Sequence, residues 1–167
     1  MDKKQVAAFL KIMSKDETRP ILNCGYVDVL NDQVVLVATD GYKMTAVYVD
    51  DDALDLVGTK IRRSAFERWY KLADGKSRLT GEELVQLASE DYGMNNGYMD
   101  GDYPNWKGLI PEGVTTSIPE VKFNAEFFKI IQDLNSDTNV VVEFHGPLSP
   151  MVIDHEKSYS LVTPMKL

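Results

Sequence analysis

The sequence predicts an α+β fold built from repeated units of one helix followed by antiparallel strands. Three segments of the 167-residue chain carry helical periodicity. Each is followed by β-branched runs broken by turn residues. The units recur at about 55 to 60 residues with little sequence in common, and the short turns between strands suit antiparallel pairing.

The first helix is expected over 3–14. Val6, Phe9, Leu10 and Met13 share one side, and at about 100° per residue Lys4, Lys11 and Lys15 gather opposite. Strands over 20–29 and 33–49 follow, joined at Asn31-Asp32. The second of these is interrupted. Its halves are good strands, and the polar Thr39-Asp40-Gly41-Tyr42-Lys43 between them reads either as a plain hairpin turn or as one wall of a binding site. A second helix is expected over 62–73, with Ala65, Phe66, Trp69, Tyr70, Leu72 and Ala73 on one side, Arg63, Arg68 and Lys71 on the other, and a stop at Gly75. "RLTGEELVQLAS" (78–89) and the stretch around Tyr98 are expected as strands, with a turn at Asn95-Asn96-Gly97. The third helix is expected over 124–134 with Asn124 as its cap and Phe127, Phe128, Ile130, Ile131 and Leu134 facing the core. "NVVVEF" (139–144), "PMVID" (150–154) and "YSLVTPM" (159–165) read as strands.

A hydrophobic content of 44% suits one domain, or one domain plus a fragment, with a core of its own. There is no run of about 18 apolar residues, so no membrane span is expected. The first 15 residues read as an amphipathic helix rather than a signal peptide. Cys24 is the single cysteine, which excludes an intrachain disulfide, fits a reducing cytoplasm and reads as a buried thiol. The net charge of −8 argues against nucleic acid, but the charges are segregated. Of 18 Lys and Arg, 13 lie in or beside the three helices; of 26 Asp and Glu, five do. Such a surface could hold a polyanion, although each basic stripe equally suits a solvated helix face, and Lys129 against Glu126 and Asp133 leaves the third helix nearly neutral.

No catalytic constellation is visible. The chain has no Gly-rich phosphate loop, CxxC, HExxH or nucleophile elbow. His145 and His155 have no third ligand at a recognisable spacing. The acidic run at 50–55 and "DYGMNNGYMDGD" (91–102) lack the ligand spacing of a calcium loop. The chain is read as a non-enzyme with no metal and no cofactor.

Four stretches, in order, resemble the bacterial sliding clamp family, the β subunit of DNA polymerase III. "TRPILNCGYVDV" followed by "LVATDGYKM" is similar to the start of that family's middle domain, and "IRRSAFERWYKLADG" to the second helix of the same domain. "GDYPNWKGLIP" (101–111) resembles its junction into the last domain. Residues 121–167 resemble its C-terminal half-domain, with Thr163-Pro164-Met165-Lys166-Leu167 standing where the family has Met-Pro-Met-Arg-Leu. The resemblance implies a DNA-clamp fold with helices lining one face, and a basic surface of Lys4, Lys11, Lys15, Arg19, Arg63, Arg68 and Lys71 towards double-stranded DNA. It also implies an apolar pocket for short peptides of polymerases and repair proteins, made by Leu22, Thr39, Gly41, Tyr42, Lys43, Met44, Pro104, Leu109, Leu161, Thr163, Pro164 and Met165. Phe127, Pro147 and Ser149 would be outlying members. On the residues alone, Met44, Leu161 and Met165 read as completing a core.

The chain departs from the family in length. Residues 1–105 resemble the middle domain and 106–167 half of the last, so a ring of family size would take about four chains. Thr163 replaces a Met, Gly108 stands where Arg is frequent, and Lys166 replaces an Arg, which loses a bidentate donor. Two functions follow as expectations. One is a reduced clamp of phage or mobile-element origin, a processivity factor that tethers a polymerase and, where a ring forms, a homo-oligomer. The other is a peptide-binding adaptor or decoy that does not encircle DNA.

Overall fold

A computed structural model of the chain describes residues 1–95, 99–111, 122–135, 139–146 and 148–165. Helix α1 (Lys3–Ile12) starts at Asp2, whose carboxylate accepts the Gln5 N–H at 2.8 Å while the Gln5 side chain accepts the Asp2 N–H at 2.8 Å. This reciprocal pair satisfies two donors that a helix start leaves open. Strands β1 (Cys24–Leu30) and β2 (Gln33–Thr39) form a hairpin, and its two turn residues, Asn31 and Asp32, take φ of 50° and 61°. Those left-handed angles match the right-handed twist of the flanking strands. β3 (Lys43–Tyr48) pairs with β2, and β4 (Lys60–Arg62) returns to the outer side of β1.

Two helices follow, α2 (Arg63–Leu72) and α3 (Gly81–Met94). After α4 (Glu126–Asn135) come β5 (Val141–Glu143), β6 (Met151–His155) and β7 (Ser158–Val162). All seven strands form one antiparallel sheet in the order β4-β1-β2-β3-β7-β6-β5. Its central seam joins β3 to β7, with Met44 opposite Leu161.

The pleat sends alternate residues to two cores. On one face Val34, Leu36 and Ala38 of β2 meet Val6, Phe9, Phe66, Leu84, Ile130 and Leu134 of the four helices. The Phe9 and Phe66 rings lie 5.5 Å apart. On the other face Val35 and Val37 join Met44, Ala46, Val152 and Leu161 beneath Trp106, with Tyr103 and Ile110 at the margin. Each such large side chain contributes roughly 1.5–3 kcal/mol when fully buried. Cys24 is fully buried and its thiol donates to the Ile21 carbonyl at 3.0 Å; burial pushes its pKa up to about 12, so it is a packed, inert thiol.

Several expectations are corrected. The stretch 78–89, expected as strand, is mostly α3. Leu84, Leu87, Ala88 and Asp91 recur at helical spacing and are all buried. Thr80 caps this helix by accepting the Glu83 N–H at 3.2 Å. The second unit is therefore a helix followed by a helix. The expected strand at 20–29 starts only at Cys24, because Pro20–Leu22 is a short 3-10 turn. The interrupted strand at 33–49 is two strands. The turn residues Asn96 and Gly97, and the stretch centred on Tyr98, lie outside the described residues. Among the described residues no helix is long and apolar enough to cross a membrane.

The extra helix also corrects the charge pattern. Seven cations lie within the four helices, Lys3, Lys4, Lys11, Arg63, Arg68, Lys71 and Lys129. Seven acids match them: Glu67, Glu82, Glu83, Glu90, Asp91, Glu126 and Asp133. Four of the seven acids come from α3, so the charges inside the helices balance and only α1 and α2 are net basic, while the positions flanking the helices (Lys15, Lys60, Arg62, Lys76, Arg78 and Lys122 against Asp2 and Asp74) stay basic.

Candidate binding cavity at the central seam

The polar interruption between β2 and β3 is a tightly tied hairpin. Thr39 Oγ1 donates to the Lys43 carbonyl at 2.7 Å and accepts the Gly41 N–H at 3.0 Å. Asp40 Oδ1 accepts the N–H groups of Tyr42 and Lys43 at 2.9 and 3.0 Å, and its other oxygen pairs with the Lys43 ammonium. Gly41 sits at φ +93°, a conformation that side-chain-bearing residues adopt at a cost. The result points Met44 inward and leaves Tyr42 67% exposed at the tip.

β7 and the residues after it close on this hairpin. Thr163 donates its N–H, at 3.4 Å, and its hydroxyl to the Tyr42 carbonyl. The 101–111 segment crosses the sheet on the same side. Tyr103 stacks on Tyr26 with centroids 4.7 Å apart, and burial pushes its phenol pKa well up. Asp28 of β1 holds the segment through both oxygens. One accepts Trp106 Nε1–H at 2.9 Å and the other the Lys107 ammonium at 2.7 Å.

These three pieces, with Leu22 of the 3-10 turn, line a cavity of about 250 Å³. Leu22, Thr39, Gly41, Tyr42, Lys43, Met44, Pro104, Leu109, Leu161 and Thr163 line it, ten of the twelve residues proposed from the sequence. Trp106 and Pro150 complete the wall. Sequence reasoning missed both. Trp106 lies inside the quoted 101–111 stretch, but nothing in its spacing says which aromatic turns inward.

Pro164 and Met165 line instead an adjoining cleft of about 650 Å³ between the end of α1 and the start of α4. That cleft shares Tyr42, Lys43 and Thr163 with the first cavity and also contains Lys11, Lys15 and Phe127. The Lys43 ammonium stands 5.0 Å from the Phe127 ring centroid. Ser149 lines neither space, and Pro147 lies outside the described residues. The cavity wall is largely carbon, with polar groups confined to the hairpin and Thr163. That composition suits the apolar side chains of a short extended segment.

The proposed DNA-facing cations divide by how they are used. Lys11, Lys15 and Lys71 are exposed and make no ion pair among the described residues. Lys4 meets Asp133 at 3.2 Å, Arg19 meets Asp16 at 3.0 Å, and Arg68 meets Glu90 at 3.7 Å. Arg63 is an internal clamp. Its guanidinium caps the end of α1 by donating to the carbonyls of Leu10 and Met13, and pairs with Glu67 at 2.8 Å. With its side chain 15% exposed, it is committed to packing rather than to a solvent-borne partner.

No protein-family profile matches this sequence, and no curated protein matches it. Solved structures do. The DNA polymerase III subunit beta of Borrelia burgdorferi, in complex with a natural product, superposes with a TM-score of 0.66 at 13% identity, covering 100% of this chain and 63% of that one. The griselimycin-bound sliding clamp of Bartonella birtlesii gives 0.60 at 18% identity, covering 99% and 63%. The DNA polymerase sliding clamp of Bacillus subtilis gives 0.63 at 15% identity, covering 99% and 62%. The fold is that of the bacterial sliding clamps. The chain spans a little under two thirds of the length of these clamps.

Proposed function

We propose that this chain is a non-catalytic, clamp-like processivity factor of the cytoplasm. It receives a short apolar peptide of a DNA polymerase or another replication protein in the cavity at the central seam, and it lays the net-basic α1–α2 surface against double-stranded DNA. Residues 1–105 would supply the hairpin side of the cavity as a middle-domain equivalent, and 106–167 would supply the other side. One observation carries the reading: ten residues from four separate stretches of sequence converge on one apolar cavity. A core that merely closed on itself would leave no such space beside an exposed Tyr42 and Leu109.

Titration of the full chain with a fluorescent clamp-binding peptide tests the pocket. Saturable binding that weakens in Leu109→Asp is expected, and no binding at high micromolar peptide would overturn the reading. A second reading, the adaptor or decoy that engages clamp-binding partners without encircling DNA, is favoured by the balanced charge within the helices. DNA binding measured from low to physiological salt separates the two. A salt-sensitive complex supports the processivity factor, and peptide binding with no DNA binding supports the adaptor.

A further inference from the structure

Between α2 and α3, the helix that stands where the repeat pattern expects strands, lies a cleft of about 290 Å³. The position of α3 is fixed by the sheet edge, where the Arg62 N–H of β4 donates to the Asp91 carboxylate at 3.0 Å. α2 lends the cleft Arg68, Trp69 and Leu72, and α3 lends Glu83, Leu87 and Glu90. The indole and the two leucines supply its carbon, and Leu72 is left 83% exposed. Its charged atoms are not satisfied within the chain. Among the described residues, buried Glu83 Oε2 accepts no hydrogen bond and buried Arg68 Nη2 donates none. The Glu90 carboxylate stands 3.7 Å from Arg68 Nη2, beyond hydrogen-bond reach. A donor and an acceptor left open in this way each cost free energy until a partner supplies the matching group.

The two atoms call for opposite chemistry. Glu83 takes an ammonium, and Arg68 takes an anionic oxygen. The terminal torsion of a glutamate is soft, so Glu83 turns its oxygen into the cleft at little cost. Helix geometry sets the spacing. Glu83 and Glu90 lie two turns apart on α3, about 10 Å along the axis, and Arg68 stands at the Glu90 end. Water at each end would satisfy the polar atoms but leave Trp69, Leu72 and Leu87 wetted between them, whereas a hydrocarbon stem takes that surface out of water. We propose that the α2–α3 cleft binds a small ω-amino acid. Its ammonium meets Glu83, its carboxylate meets Arg68, and an unbranched stem of about five carbons spans the helical distance between them along Trp69, Leu72 and Leu87. Two carboxylates against one guanidinium leave the cleft net acidic, so a carboxylate without an ammonium is disfavoured there. The inference does not rest on the peptide site, which shares no residue with this cleft.

An NMR titration of the full chain with 6-aminohexanoate tests the proposal. The chain has two tryptophans. Trp69 lines the cleft, and Trp106 donates its indole N–H to Asp28, so one indole signal is the probe and the other the control. The Trp69 signal is expected to shift saturably while the Trp106 signal stays in place, with Trp69→Phe identifying which is which. Hexanoate and hexylamine each lack one charged end and are expected to bind at least roughly tenfold more weakly. Glu83→Gln removes the charge and keeps the shape. It is expected to leave the melting temperature unchanged and to weaken 6-aminohexanoate by at least roughly tenfold. No saturable shift at tens of millimolar 6-aminohexanoate, equal binding of hexanoate or hexylamine, or undiminished binding by folded Glu83→Gln would each overturn the proposal.

Discussion

Replacing Asp91 by Ala tests whether α3 is held to the sheet edge as described. The carboxylate is 3% exposed and accepts three hydrogen bonds: from the Arg62 N–H at 3.0 Å, from Arg62 Nη1 at 3.3 Å and from Asn95 Nδ2 at 2.8 Å. A hydrogen bond to a charged group contributes about 1.5–3 kcal/mol net. The three are not additive. The Arg62 side chain, 24% exposed, regains water when released, and Asn95 Nδ2 keeps its second acceptor, the Asp91 carbonyl at 2.9 Å. The Arg62 main-chain N–H loses the acceptor it holds at 3.0 Å. The expected loss is therefore about 3 kcal/mol, toward the lower end of the cost of breaking a buried ion pair. Urea unfolding monitored by circular dichroism measures it, with the m-value held as the check on two-state behaviour. Hydrogen exchange at the Arg62 amide is expected to accelerate by at least an order of magnitude. A loss below about 1 kcal/mol with that amide still protected would refute the reasoning, since α3 would then be held by apolar packing alone.

Three further outcomes follow from the same structure. Gly81→Ala places a Cβ 2.8 Å from Asp52 Cβ and 3.1 Å from both the Ala53 nitrogen and the Asp50 carbonyl, so thermal melting is expected to reveal a loss of about 1–3 kcal/mol. Leu109→Ala removes an apolar side chain, 54% exposed, from the cavity rim; peptide affinity is expected to fall roughly tenfold with the melting temperature unchanged. Hydrogen bonding from Lys129, with Lys4 adding to it across the α1–α4 contact, holds the Asp133 carboxyl below its ordinary pKa. A depressed carboxyl contributes stability above its unfolded pKa and loses it as pH falls through the folded one. The stability gap between the wild type and Asp133→Asn is accordingly expected to close as urea titrations move from neutral pH to below pH 4.

The sequence is most legible where side-chain period and turn chemistry agree. α1, α2 and α4 lie within two residues of their expected bounds because their apolar residues recur at helical spacing. The Asn31-Asp32 turn was readable because those residue types tolerate positive φ. α3 was missed although its signal was present. Thr80 followed by Glu83 is the start of a capping pattern, and Leu84, Leu87 and Ala88 fit one helical side. Gly81 at the first helical position is a poor helix former, which weakens that signal. Without this helix the charge count of the helices leaves out its four acids, Glu82, Glu83, Glu90 and Asp91. At the cavity, the hairpin and the β7 residues were legible through resemblance. The division of Pro164 and Met165 into a separate cleft depends on where the chain turns after Val162, which local pattern does not encode.

The β3–β7 seam has a consequence for biogenesis. Its two strands are separated by more than a hundred residues of chain, so the middle of the sheet is assembled from segments synthesised far apart in time. While a ribosome is still making the intervening helices, β3 stands as a bare apolar border, with Met44, Ala46 and Val47 unmatched. Such a border invites wrong pairing, and long-range closure of this kind is slow. Nascent chains halted before residue 158 should therefore engage holdase chaperones, and release should coincide with the emergence of the strand that zips the seam shut.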